Sequence, residues 1–258
     1  MKCQTLRARP RSASSQGLLP RAGERFILCA AQGQWWGKMF LQIDSVLTTM
    51  EVRSVVELAR QTRFIDGRAS SLDNSTRNDL MQDPRDSLGQ RASQIVLTAI
   101  QRNEAARDFL WPNRIAVPQF LRYGPGMTYG AHVDVAFMNL ATQPLRSDVS
   151  CTVFLSDPAD YEGGELVIHL GTETVRLKGS AGSAVFYPST TLHEVTPVAS
   201  GERLVMMTFI ESQLPDAAQR ELLYTLNEVR ALEGLNMQWH NRMSLESVIA
   251  YLLRMWVR

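Results

Sequence analysis

The sequence predicts an α+β protein in which helices flank a single β core. Apolar residues recur at helical spacing as far as residue 110, and the period shortens to two between about 115 and 212. Helical spacing then returns from 216 onward. Many short strands separated by Gly, Pro and Asp turns argue for a sandwich or barrel, with a double-sheet jelly roll the leading candidate. The 258 residues suit one such domain with its flanking helices, and no internal repeat is present.

Phe40, Leu41 and Ile43 read as a short strand. Thr48 or Thr49 can cap a helix, because a hydroxyl accepts from the free N–H groups of a first turn, and Val52, Val55, Val56 and Ala59 give that helix an apolar face. Residues 66–88 are polar and rich in Asp, Asn and Ser, so they read as a loop. A second helix over 89–110 buries Ile95, Val96, Ala99, Ile100, Ala106 and Leu110, and Pro112 ends it. Strand-like runs follow at 115–123, 150–155, 165–170, 174–178, 183–187 and 204–211, punctuated by Gly124-Pro125-Gly126, Asp157-Pro158 and Gly163-Gly164. The tail carries Leu222, Leu223, Leu226 and Val229 on one stripe, then a second amphipathic segment at 245–257. That stripe reads as intramolecular packing, with a homodimer through the C-terminal helices as the alternative.

The net charge of +1 is the sum of two unlike pieces. Residues 1–38 hold seven basic groups and one acid, whereas residues 39–258 hold 20 basic and 25 acidic groups. An acidic body argues against a nucleic-acid partner, and no apolar run approaches the ~18 residues that span a bilayer. Three cysteines, widely spaced and odd in number, argue against a disulfide framework or a Cys-rich zinc site and for a reducing, cytoplasmic setting. In residues 1–38, Pro10, Gly17, Pro20, Gly23 and Gly33 break any helix or strand. The apolar run 26–31 is shorter than the ~7–15 residues of a secretory signal. The expected organisation is a disordered or misassigned extension at 1–38, a domain at 39–212 with its β core from about 115, and a helical region at 213–258 packed on that core.

Only four histidines are present, so their contexts can be weighed singly. In Tyr129-Gly130-Ala131-His132-Val133-Asp134 an imidazole and a carboxylate stand two apart, and on a strand such residues share a face. They could hold a first-row metal at ~2.0–2.2 Å, with a later histidine as third ligand. His193 follows one strand and precedes another, and Arg203 opens an apolar strand ten residues on. A buried arginine is costly unless it meets an anion, and its planar fork matches a carboxylate. Two imidazoles and a carboxylate on one face leave three positions on Fe(II), enough for a chelating 2-oxo acid and dioxygen.

These residues, with Leu155-Ser156-Asp157-Pro158, Gly163-Gly164-Glu165-Leu166 and the run from Tyr187-Pro188-Ser189 to Arg203, resemble the Fe(II)/2-oxoglutarate dioxygenases. More narrowly, the sequence is similar to the bacterial PKHD-type hydroxylases, relatives of the prolyl 4-hydroxylase catalytic domain. The resemblance covers about residues 39–258, including Phe64-Ile65-Asp66-Gly67 and the helical tail. It implies a double-stranded β-helix, with His132, Asp134 and His193 as iron ligands and Arg203 pairing with the distal carboxylate of 2-oxoglutarate. Tyr123 would hydrogen-bond that same carboxylate, and no further catalytic residue is implied. It also implies ascorbate dependence and hydroxylation of a small-molecule or peptidyl substrate by dioxygen, with release of succinate and carbon dioxide.

The competing readings are a non-catalytic jelly-roll binding module and a cupin-like protein holding Zn(II). A hydrolase on the same metal would need a general base that the sequence does not offer. His169 reads as a structural strand residue, His240 as too distant in pattern to be a ligand, and Tyr129 and Phe186 as core. Arg203 could alternatively pair with Glu202 or Glu211 at the surface. Removal of residues 1–38 is expected to leave activity and melting temperature intact; a large loss of either would place the extension inside the fold.

Overall fold

A computed structural model of the chain describes residues 4–7, 24–31, 34–36, 40–70, 76–140, 143–171 and 173–257. Two antiparallel sheets form the core. The larger runs in the order Leu41–Ile43, Ala184–Pro188, Val149–Phe154, Arg203–Ser212, Gln119–Tyr123, Leu80–Gln82 and Phe64–Asp66. The smaller runs Glu173–Leu177, Leu166–Leu170, His193–Val195, Thr128–His132 and Arg77–Asn78. Such a pair of sheets is the jelly-roll core expected from the strand spacing.

The larger sheet is covered on both faces, which is why its strands Val149–Phe154 and Ala184–Pro188 are buried at every residue rather than at alternate ones. Its inner face meets the smaller sheet: Tyr123, Phe154, Val185, Tyr187 and Val205 pack with Leu166, Ile168, Val175 and Val195. On its outer face Cys151, Val153, Phe186, Leu204 and Met206 pack with helices. Helix α1 (Thr49–Gln61) opens with a capping box, in which Thr48 accepts from the Glu51 amide while Glu51 accepts from the Thr48 amide. It presents Val55 and Ala59 to the sheet. Helix α2 (Ser87–Arg102) adds Ala92, Val96, Ala99 and Ile100, and α3 (Glu104–Leu110) adds Phe109 and Leu110. The sequence reads α2 and α3 as one helix. Asn103 divides them, because its extended backbone closes α2 while its side chain caps α3 through the Ala106 amide. Trp111, left-handed at φ 46°, ends α3 just before Pro112.

Four further expectations change. Residues 66–88 are not one loop, since they contain a 3-10 turn at Gly67–Ser70, the strands Arg77–Asn78 and Leu80–Gln82, and the start of α2. Polar composition misleads here because the polar groups satisfy one another inside the fold. Arg77 Nε donates to Asp79 Oδ1 at 2.7 Å with both buried, and Gln82 accepts from the Phe120 amide. The 115–123 run splits at Pro118 into Pro112–Ile115 and Gln119–Tyr123.

In residues 1–38, where the sequence suggests no strand, the strands Gln4–Arg7, Glu24–Ala31 and Gln34–Trp36 are described. Glu24–Ala31 pairs antiparallel with Leu41–Ile43 and extends the larger sheet, as a run with β propensity can do beside an open edge. The rest of that extension lies outside the described residues.

The tail forms the helices α4 (Ala217–Glu233) and α5 (Trp239–Trp256), so the second segment begins earlier than residue 245. Leu214, Leu223 and Ile249 form its buried centre with Trp111 and Leu226. Only part of the predicted stripe is covered: Leu222 and Val229 are exposed, as are Tyr251 and Met255 on α5. No helix among the described residues is long and apolar enough to cross a membrane.

Glu211 fastens Pro112–Ile115 to Arg203–Ser212, accepting from Arg114, from Asn113 Nδ2 at 2.8 Å and from the Arg146 amide at 2.9 Å. The Arg114 guanidinium chiefly, against an opposing effect of burial, holds its carboxyl down to about 2 from an ordinary 4.5. Because the folded value is the lower one, this stabilisation is complete above about 4.5 and is lost as pH falls toward 2. Glu211→Gln should therefore destabilise by ~1–3 kcal/mol at pH 7 and flatten the acid limb of a melting-temperature profile. An unchanged acid limb would show that the clamp does not contribute.

Candidate metal and cosubstrate site

His132 ends the Thr128–His132 strand and faces His193 as its cross-strand partner. Asp134 stands two residues beyond the strand end, in irregular backbone, and is not the second member of a same-strand pair as its spacing suggests. Its amide donates to the Ser189 carbonyl at 3.2 Å, which turns the chain so that its carboxylate meets both imidazoles. Oδ1 is 3.9 Å from His132 Nε2, and Oδ2 is 3.7 Å from His193 Nε2. The ligating atoms of all three residues lie within 4.8 Å of one another.

Each imidazole has its tautomer fixed by its own strand or loop. His132 Nδ1 lies 2.8 Å from the Gly130 carbonyl and His193 Nδ1 lies 2.9 Å from the Thr191 carbonyl. A carbonyl only accepts, so Nδ1 carries the proton and Nε2 presents a lone pair. Burial, then the neighbouring His193, lowers the His132 pKa and favours the neutral ring that a metal requires. The Tyr129 ring stacks on His132 at 3.7 Å between centroids, and Arg77 stands 5.0 Å over the other aromatic of that stack. Tyr129 is thus part of the site rather than plain core, whereas Phe186 lies in the core as expected. His169 pairs with Glu194 at 3.5 Å, and His240 is exposed on α5; neither joins the cluster.

The carboxylate of Asp134 is supported from below. Ser150 Oγ donates to Oδ2 at 2.5 Å, Ser189 Oγ lies 2.7 Å from Ser150 Oγ, and Ser147 Oγ donates to Ser189 Oγ at 3.1 Å. All three serines are buried. Ser150 faces the site because residues 150, 152 and 154 take the inner face of their strand while 151 and 153 take the outer.

Arg203 follows the same alternation. It shares the inner face with Val205, is 2% exposed, and is the cross-strand partner of Tyr123. Its guanidinium sits 4.9 Å over the Tyr123 ring. Neither Nε nor Nη1 has a partner, although both are sealed from solvent. The anticipated surface alternatives are spoken for, since Glu202 pairs with Arg122 and Glu211 with Arg114. An unpaired buried charge costs several kcal/mol, so the two nitrogens mark the place of an anion.

Two phenols stand near. Burial and the Asp79 carboxylate push Tyr123 far above the ordinary tyrosine range. Tyr161 was not singled out by the sequence, yet its hydroxyl is buried without a partner and its neighbours include Arg203. Gly164, at φ 60°, lets both approach, because a Cβ there would come within 3.0 Å of the Tyr161 ring and 3.1 Å of Arg203 Cδ. Its position two residues before Gly163-Gly164 is the sequence signal available for Tyr161. Two imidazole Nε2 atoms, one carboxylate and an adjoining sealed guanidinium suit a ferrous ion and a dicarboxylate chelator.

Residues 118–211 match the model of the 2OG-Fe(II) oxygenase superfamily. Over 207 residues the chain is 47% identical to a PKHD-type hydroxylase of Sphingopyxis alaskensis, spanning 80% of this chain and 94% of that protein. A PKHD-type hydroxylase of Cupriavidus metallidurans is 40% identical over 207 residues, 76% of this chain and 90% of its own. Among solved structures, a 2OG-Fe(II) oxygenase-family oxidoreductase from Burkholderia pseudomallei shares the fold at a TM-score of 0.51 and 14% identity, over 67% of this chain and 85% of that one. With the jelly roll and a His-Asp-His cluster beside a buried arginine, this chain belongs to the PKHD-type hydroxylases and is an Fe(II)- and 2-oxoglutarate-dependent dioxygenase.

Proposed function

We propose that His132, Asp134 and His193 hold the ferrous ion and that Arg203 clamps the distal carboxylate of 2-oxoglutarate, with the Tyr123 and Tyr161 phenols beside it. The observation that carries this reading is the Arg203 guanidinium, buried with two orphaned nitrogens in a fold that also converges three metal-ligand side chains, with Tyr187 within electrostatic reach of both Arg203 and Asp134. A Zn(II) binding module would give that guanidinium no anion to meet. When bound, iron and 2-oxoglutarate would supply the oxidative chemistry with dioxygen as oxidant, one of its oxygen atoms ending in succinate as carbon dioxide is released and the other in the hydroxyl that replaces a substrate C–H. The chain's own groups orient and exclude. Arg203 fixes the cosubstrate's far end by a fork-to-carboxylate match, and the carbonyls of Gly130 and Thr191 keep both Nε2 atoms available.

Ascorbate serves as the reductant that keeps the metal ferrous. The substrate is a small molecule or a peptide, and the enzyme works in the cytoplasm, a compartment consistent with the free, buried Cys151. The exposed Leu222, Val229, Tyr251 and Met255 of α4 and α5 support a homodimer through the tail. The catalytic unit is assigned to residues 39–258, with the Glu24–Ala31 strand an edge addition to its larger sheet, in keeping with relatives whose near-full length matches about four-fifths of the chain.

Screening candidate substrates for succinate release that requires both Fe(II) and 2-oxoglutarate tests the assignment. Arg203→Lys keeps the charge and loses the fork, so the 2-oxoglutarate KM should rise about 10–100-fold with little change in iron content. A wild-type KM would remove Arg203 from the clamp. Of the two phenols, Tyr161→Phe should raise that KM more than Tyr123→Phe, because the Tyr161 hydroxyl has no other partner whereas Tyr123 faces Asp79. The reverse order, read from the same titrations, would return the role to Tyr123 alone.

A further inference from the structure

We propose that Ser147, Ser189 and Ser150 form a one-way chain of hydroxyl hydrogen bonds that positions Asp134 for metal binding, leaving Oδ1 as its ligating oxygen. The direction follows from proton counting. A carboxylate only accepts, so the 2.5 Å contact between Ser150 Oγ and Asp134 Oδ2 uses the single Ser150 proton. The 2.7 Å contact between Ser150 and Ser189 must then be donated by Ser189, and the 3.1 Å contact between Ser189 and Ser147 by Ser147. Each donor polarises the next, so the bond delivered to Oδ2 is stronger than that of an isolated serine. Ser147, Ser189 and Ser150 are 6%, 2% and 0% exposed as residues, which leaves little room for water as a competing donor.

The same chain ties together two arms of the site. Ser189 lies between the Ala184–Pro188 strand and His193, and its carbonyl accepts from the Asp134 amide. Two residues on, the Thr191 carbonyl accepts from His193 Nδ1. Asp134, which has no strand pairing of its own, is thereby held from its amide and from its carboxylate by one short loop and one strand. These serines are positioning residues, since none is among the convergent metal-ligand groups.

The inference rests on Asp134 being a metal ligand, and the experiment separates the two. In the full-length chain, anaerobic Fe(II) affinity and the ligand-field spectrum of Co(II) are measured for the wild type and for Ser150→Ala, Ser189→Ala, Ser147→Ala and His132→Ala. Ser150→Ala should weaken Fe(II) binding by ~10–100-fold and alter the Co(II) bands. Ser189→Ala should have a smaller effect and Ser147→Ala the smallest, while Ser150→Thr, which restores the hydroxyl, should return affinity toward the wild type. The metal-free melting temperatures should not follow that order. A wild-type Fe(II) affinity and Co(II) spectrum in Ser150→Ala, with binding lost in His132→Ala, would overturn the serine chain alone. Equal losses in all three serine variants that track the metal-free melting temperature would overturn it as well, by reducing it to packing. Undiminished binding in His132→Ala would overturn the metal assignment beneath it. Should Ser150→Ala not fold, the order of Ser189→Ala against Ser147→Ala and the Thr rescue decide the matter.

Discussion

Arg203 imposes the costliest demand on this fold. A guanidinium 2% exposed, with two nitrogens unpaired, loses several kcal/mol of hydration that no carboxylate of the chain returns. The fold tolerates it because the surroundings are built for it. Tyr123 supplies a ring face at 4.9 Å, cross-strand pairing fixes the backbone, and Gly164 leaves room for the side chain. The apolar clusters on both faces of the larger sheet provide the surplus that carries this deficit. The 2-oxoglutarate clamp proposed for Arg203 accounts for a charge being retained at so buried a position.

Much of the fold was legible because burial writes a period into the chain. The strands 149–154, 184–188 and 203–212 carry apolar residues at both odd and even positions, the pattern of a sheet covered on both sides. Thr48 with Glu51 announced α1 by a local rule that depends on nothing distant. Residues 77–82 were illegible for the opposite reason. Arg77 and Asp79 look solvent-exposed in a sequence, and only their mutual ion pair, visible in three dimensions, makes their burial affordable. Asn103 misled in a subtler way, since a residue that closes one helix and caps the next leaves the apolar period unbroken across the junction.

At the site, residue types and spacing named His132, Asp134, His193 and Arg203, because few arrangements of so few histidines could converge with a carboxylate and an arginine. The spacing carried a wrong geometric reason. His132 and Asp134 converge through a turn held by the Ser189 carbonyl, not through the two-residue period of a strand. The supporting groups were silent for a general reason. Single serines and a tyrosine have no distinctive sequence pattern, and the importance of the serines lies in what their hydroxyls face, which depends on contacts 16 to 42 residues apart in sequence.

The two halves of the site are joined through the protein itself. His132 stacks on Tyr129, Arg77 lies over Tyr129, Arg77 is paired to Asp79, Asp79 faces Tyr123, and Tyr123 underlies Arg203. Each step is a close packing or charge contact between buried or half-buried groups, so little slack separates the metal-ligand cluster from the guanidinium. A chelating cosubstrate must satisfy both ends at a fixed separation, and a path of stiff aromatic and ionic contacts is a physical means of holding that separation constant. The Arg77–Asp79 pair sits midway along it. Its burial beneath a polar stretch of sequence is then explained by position: it is the link that lets an aromatic stack on one sheet bear on a buried arginine of the other.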